Sequence, residues 1–155
     1  MTQEPQSKIT DEHRAYIGRR SEPVMVTVKE EDARRLRSLF EDDDPRWAEG
    51  TGIAPPYVLA MFGGAPWRGT MPSVLPGGIM TQQEWRFTRP FRIGEQLKAI
   101  TQVIDIRERL GGRYGHSVLI TTSTDFYDEA DEHVAANLLT VTQFDPSAAR
   151  GGGSQ

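Results

Sequence analysis

The stretch Pro55-Pro56-Tyr57-Val58-Leu59-Ala60-Met61-Phe62-Gly63-Gly64 sets the architecture. Two prolines suit a first helical turn and two glycines suit its exit. Between them no side chain is charged, so the spacing predicts a short helix over 55–62 wrapped on most sides. The surroundings agree. From Gly50 to Gln83 the only charged residue is Arg68, which marks an interior segment followed by a Gly- and Pro-rich loop to Gly78.

Upstream, Val24 to Val28 reads as a strand and Lys29 to Phe40 as a helix. Thr27 and Glu30 have capping-box spacing. Glu30 with Arg34, and Glu31 with Arg35, are four apart in the favourable order. Ala33, Leu36, Leu39 and Phe40 share the face expected to be buried, and Pro45 stops any continuation. Downstream, Trp85 and Phe87 alternate with Glu84, Arg86 and Thr88, the period of a strand. Leu97 to Ile106, His116 to Tyr127 and Val134 to Phe144 read as three further strands. Gly111-Gly112 and Asp128 to Glu132 form the turns between them. Val118, Ile120 and Phe126 fall on one side. Long neighbouring strands with short turns imply an antiparallel sheet, whose apolar face must be covered. The expected fold class is α+β, a sheet wrapped around the apolar helix. A flexible N-terminal segment (1–15), one domain (16–146) and a flexible Gly-rich tail (147–155) complete the organisation.

Composition narrows the function classes. Eighteen Lys and Arg against 22 Asp and Glu give a net charge of −4, which does not suit a nucleic-acid binder. Cysteine is absent, which excludes disulfides, thiol catalysis and thiolate metal sites. No apolar run is long enough to span a bilayer, and the polar start, Met1 to Lys8, lacks the apolar core of a signal peptide. A cytoplasmic protein is expected. His13, His116 and His133 are scattered, and no His/Asp/Glu group has metal-ligand spacing. No P-loop or dinucleotide fingerprint occurs, so no metal or cofactor is expected.

The acidic loop Glu41-Asp42-Asp43-Asp44-Pro45-Arg46-Trp47 and the following Ile53-Ala54-Pro55-Pro56 resemble the hydratase loop of MaoC-type dehydratases, with its Asp-x-Asn-Pro-apolar-His pattern. Gly77-Gly78, the run Arg89-Pro90-Phe91-Arg92-Ile93-Gly94-Glu95 and Gly111-Gly112-Arg113 extend the likeness in the right order over Tyr16 to Phe144. The resemblance implies the N-terminal hot-dog half of such enzymes. It also implies reversible hydration of enoyl thioesters on coenzyme A or acyl carrier protein. In that family an Asp and a His hold the water, and a glycine amide binds the thioester oxygen. Asp42 matches the Asp, and Asp44 takes the Asn position. Trp47 stands where the His belongs, and indole N–H only donates. Pro56, at the glycine position, has no N–H. The resemblance therefore implies a degenerate half that holds substrate and needs a partner hot-dog subunit, as a homo- or hetero-dimer.

Under that reading Asp42 and Asp44 are the catalytic candidates. Trp47, Tyr57, Met61, Trp67 and Trp85 are substrate-binding candidates, and Arg86, Arg89 and Arg92 are candidates for coenzyme A or carrier phosphates. The plainer alternatives are a polar loop for the acids, core or interface packing for the aromatics, and solvated or turn-bound arginines. Three other functions stay open. One is a non-catalytic acyl-thioester-binding or assembly module. Another is a stand-alone hydratase with Asp42 or Asp44 as base. The third is a hot-dog thioesterase, ranked low because no Asp or Glu lies between Glu49 and Glu84.

Overall fold

The computed structural model describes residues 6–62 and 69–148. Five strands form one antiparallel sheet: β1 (Val24–Thr27), β2 (Gly77–Phe87), β3 (Gln96–Leu110), β4 (His116–Tyr127) and β5 (His133–Phe144), in the spatial order β1-β3-β4-β5-β2. Helices α1 (Asp11–Arg14) and α2 (Glu30–Phe40) and the 3-10 segments Pro45–Trp47 and Pro56–Phe62 accompany them. β2 and β3 follow each other in sequence but lie on opposite sides of the β4–β5 hairpin, so residues 88–95 carry the chain across the end of the sheet.

The strand pattern expected from sequence holds along β4. Val118, Ile120, Thr122, Thr124 and Phe126 are buried, and the residues between them are half-buried. Along β3 the alternation changes phase. Leu97, Ala99, Thr101 and Val103 point inward, then the register with β4 slips between Val103 and Asp105, and the next buried residue is Ile106. The extra residue, Ile104, is a bulge. β5 is buried on both sides from Val134 to Asn137, as a strand covered on two faces must be.

Several expectations are corrected. The strand read at 84–88 begins at Gly77, because its first half is an exposed edge whose polar and apolar residues do not alternate with burial. Helix α2 starts after Lys29, which makes no side-chain cap, so the Thr27–Glu30 capping box does not form. A capping box does form at Thr10 and His13 of α1, within the segment expected to be a flexible lead-in. Among the described residues neither Glu30–Arg34 nor Glu31–Arg35 closes to an ion pair. Leu39 and Phe40, placed on the buried face of α2, are exposed, and only Ala33 of that helix is fully buried.

The central segment is also thinner than expected. Pro56–Phe62 is a 3-10 helix with Val58 and Leu59 fully buried, while Ala60 and Met61 face outward. A 3-10 helix puts residues three apart on one line, so one strip is covered rather than the whole surface. Val58 and Leu59 pack with Val28, Ala33, Ala54, Phe91, Leu97, Phe126 and Val134. A second cluster, Ile9, Val103, Ile106, Val118 and Ile120, is closed by Tyr16 from the N-terminal segment and by Met71, Val74 and Leu75. Full burial of each aliphatic side chain contributes about 1.5–3 kcal/mol. Gln143 fastens the strap over this second cluster. Its Oε1 accepts from the amides of Val74 (2.7 Å) and Leu75 (3.1 Å), and its Nε2 donates to the carbonyl of Pro72 (2.9 Å).

Candidate functional site

Helix α2 stops at Glu41, whose left-handed backbone (φ 51°) lets the amides of Glu41 and Asp42 close back on the carbonyls of Ser38 and Arg37. The acidic loop then folds onto itself. Asp42 Oδ1 accepts from the Asp44 amide at 3.0 Å. Asp42 Oδ2 accepts from the Trp47 indole at 2.7 Å and from the Tyr57 hydroxyl at 2.7 Å. Asp44 caps the 3-10 turn Pro45–Trp47 through the Arg46 amide at 2.9 Å, and it takes the Arg46 guanidinium on both oxygens. Arg46 in turn lies 4.3 Å from the centre of the Trp47 ring.

These bonds fix the charge state. The Asp44 amide, then Tyr57 and Trp47, hold the Asp42 carboxyl below the usual aspartate range. Arg46, through its side chain and then its backbone, lowers Asp44 to about 2. Burial, then the bond to Asp42, pushes the Tyr57 hydroxyl up to about 12. At neutral pH the cluster is therefore two carboxylates already satisfied by donors and a phenol that keeps its proton. A general base near neutrality needs the opposite shift.

No imidazole joins this cluster. His13 Nδ1 accepts from the Thr10 amide, His116 pairs with Glu108 at 2.9 Å, and His133 pairs with Asp125 at 3.0 Å. His133 also meets the Thr88 hydroxyl at 3.0 Å. Among the described residues no group of three or more His, Asp or Glu is arranged to hold a metal, and no helix is long and apolar enough to cross a membrane.

The remaining sequence candidates divide. Trp47 lines two adjoining cavities. One, of about 470 Å³, is walled mainly by apolar surface from Ile53, Ala54, Pro56, Phe87 and Phe91. The other, of about 340 Å³, lies between α2 and the loop 47–53. Tyr57 sits edge-on to Phe40 at 5.1 Å. Trp85 packs on Phe87 and Phe126 rather than facing either cavity beside Trp47. Met61 is 45% exposed. Trp67 lies outside the described residues. Arg86 pairs with Glu84 at 2.7 Å. Arg89 is clamped by Glu95 (2.5 Å) and Asp128 (2.9 Å), and Glu95 also accepts from the Arg92 amide at 2.8 Å. That clamp ties the 89–95 crossing to the β4–β5 turn, so Arg89 acts there as a fastener. The Arg92 side chain is exposed and makes no hydrogen bond or ion pair among the described residues.

Sequence reasoning did not foresee the Tyr57–Asp42 bond, because fifteen residues and a turn separate the partners. It also passed over Arg34 and Arg37, which line the smaller cavity with Trp47. The spacing of Arg34 suggested Glu30 as its partner on the same helix, and that pair does not close.

A family model for the FAS1-like dehydratase domain region matches residues 15–137. The chain belongs to this family. Solved structures place the FAS1-like fold among the hot dogs. A HadBC (3R-hydroxyacyl-ACP dehydratase) complex from Mycobacterium tuberculosis is 18% identical, with a TM-score of 0.67, over 82% of this chain and 96% of that one. The ChsH1-ChsH2 complex from the same organism is 19% identical, with a TM-score of 0.69, over 88% and 94%. A MaoC-like dehydratase is 24% identical, with a TM-score of 0.70, over 86% of this chain but 44% of its own length. Curated protein sequences give no significant match. The curled antiparallel five-stranded sheet is thus a hot-dog fold.

Proposed function

We propose that this chain is the substrate-holding subunit of an enoyl-thioester hydratase, or 3-hydroxyacyl-thioester dehydratase, and that a second hot-dog subunit brings the working Asp/His pair and the oxyanion amide. The reaction needs a group that deprotonates water, a proton donor at the α-carbon, and amide donors for charge on the thioester oxygen. One observation carries the reading: the carboxylate at the family's aspartate position is closed on Trp47 and Tyr57, and indole replaces imidazole. Two of the similar solved structures are complexes of hot-dog subunits, which supports a partner of that kind. The apolar cavity beside Trp47 and Pro56 supports a place for the acyl group.

The test is crotonyl-CoA hydration by the purified chain, alone and mixed with a hot-dog subunit that retains Asp-x-Asn-Pro-x-His. Turnover only in the mixture is expected. Robust turnover by the chain alone would refute the reading. A stand-alone hydratase using Asp42 or Asp44 is disfavoured because both carboxyls are held below the ordinary range. A non-catalytic acyl-thioester-binding module shares the same closed clasp and predicts binding without turnover even in the mixture.

A further inference from the structure

A threonine, a histidine and an aspartate form a hydrogen-bonded line that the hydratase reading leaves unused. His133 opens β5, Asp125 lies near the end of β4, and Thr88 follows directly on β2. Strand pairing brings them together: Phe87 is paired with Ala135, Asp125 with Ala136, and the Thr88 amide donates to the Val134 carbonyl at 2.8 Å. His133 Nε2 meets Asp125 Oδ1 at 3.0 Å, and His133 Nδ1 meets the Thr88 hydroxyl at 3.0 Å. Asp125 Oδ2 accepts from Ser123 Oγ at 3.2 Å, and the Tyr127 ring stands edge-on to the imidazole at 5.6 Å.

The order of the three groups sets the direction of each bond. A carboxylate only accepts, and a neutral imidazole carries one N–H. That N–H sits on Nε2, so the bare Nδ1 accepts from the Thr88 hydroxyl. A hydroxyl bonded to a base, and the base in turn oriented by an acid, is the arrangement that activates a nucleophile. Thr88 also lines the apolar cavity of about 470 Å³ with Trp47, Pro56, Phe87 and Phe91. That volume is in the lower half of the small-molecule range, about 300–1,000 Å³, and suits a short acyl group. Arg46 and Arg89 line the same cavity and favour negative charge developing there. Thr88 and His133 are exposed at its rim, so water reaches the hydroxyl.

We propose that Thr88 is the nucleophile of a hydrolytic site for short acyl thioesters, with His133 as its base and Asp125 as the positioning residue. The Thr88 oxygen bonds to the thioester carbonyl carbon while its proton passes to His133 Nδ1. The C–S bond then breaks, and His133 gives the proton to the departing sulfur. Water attacks the acyl-threonine ester, losing a proton to His133, and that proton returns to the Thr88 oxygen as the ester C–O bond breaks. The products are a free thiol and a carboxylic acid. This activity goes beyond the hydratase reading and needs neither a second subunit nor a double bond in the substrate.

The test is thiol release from butyryl-CoA by the full chain alone, followed with a thiol-reactive dye. The butyryl group is saturated and cannot be hydrated, so the outcome is independent of the hydratase reading. The chain has no cysteine, so every thiol detected comes from substrate. Saturable release is expected. Thr88→Ala should abolish it and Thr88→Ser should retain it, with circular dichroism unchanged in both. His133→Asn should lower kcat about 10²–10⁴-fold, the usual contribution of a general base. Asp125→Asn should lower kcat and leave KM unchanged, whereas Phe87→Ala, in the cavity wall, should raise KM. An alkyl fluorophosphonate should label Thr88 in the parent chain and not in His133→Asn. No thiol release, or release retained in Thr88→Ala, overturns the proposal. Release unchanged in His133→Asn overturns the base, and an Asp125→Asn effect on KM alone overturns the positioning role.

Discussion

Trp47 donates its indole N–H to Asp42 Oδ2 at 2.7 Å, across five residues of one loop. The same oxygen takes the Tyr57 hydroxyl, so a single carboxylate oxygen joins the acidic loop to the central 3-10 segment. In the resembled motif the matching aspartate is expected to hold water. Here it is a fastening point, and the loop's conformation follows from it.

Under the proposed function, supplying an imidazole and an amide at these two positions should bring hydration to this chain. Trp47→His supplies an imidazole beside Asp42, and Pro56→Gly supplies an amide N–H at the head of the central segment. Neither single change completes the set. The double variant is expected to hydrate crotonyl-CoA measurably, with each single variant at the background rate of the parent chain.

Removing the carboxylate should loosen the loop without touching any activity of the isolated chain. Asp42→Ala strands the Trp47 N–H and the Tyr57 O–H, so thermal unfolding should occur at a lower temperature. Tyr57→Phe should lower it too, and the two losses should be less than additive because they share one bond. Additive losses would show that the clasp is not a unit.

Burial along the central segment predicts a sharp contrast between neighbours. Leu59 is fully buried and Met61 is 45% exposed. Leu59→Ala should cost about 2–5 kcal/mol in urea unfolding, the range for a buried leucine. Met61→Ala should cost under about 0.5 kcal/mol, as for most surface positions. Equal costs would mean the segment is wrapped on all sides after all.

The Asp44 carboxyl offers a pH test. Its ordinary value of 3.8 is lowered to about 2, first by the Arg46 side chain. A carboxyl lowered on folding contributes stability that is complete above 3.8 and fades as pH falls toward about 2. Carbon-detected NMR titration should place the Asp44 midpoint near the lower value. In Arg46→Met it should rise toward the ordinary one, and stability should depend less on pH across that interval.

How much of this was legible beforehand depended on the kind of signal. The β4 pattern at Val118, Ile120 and Phe126 was plain because a period of two survives any tertiary context that buries one face. The family was legible from Asp42, Pro45, the Ile53-to-Pro56 segment and the Arg89-to-Glu95 run. The first half of β2 was not, because an edge strand is mostly solvated and Ile79 and Met80 lie outside rather than in. The Thr27–Glu30 capping box failed although its spacing was right, because the chain enters α2 through Lys29 and leaves Thr27 in β1. At the site, Trp47 and Pro56 marked the two departures from the resembled motif on which the proposed function rests. What took their place, a clasp to Tyr57 and a cleft with Arg37, depends on contacts between segments that carry no mark in the linear order.

The single inserted residue at Ile104 changes how this chain should be superposed on other sequences. Upstream of it the inward positions of β3 are odd-numbered, and beyond it Ile106 is even. An alignment that runs straight through would swap inside for outside along half the strand. Placing a one-residue gap there keeps both halves matched, and a saturation mutagenesis map should reveal the same reversal in which positions refuse charge.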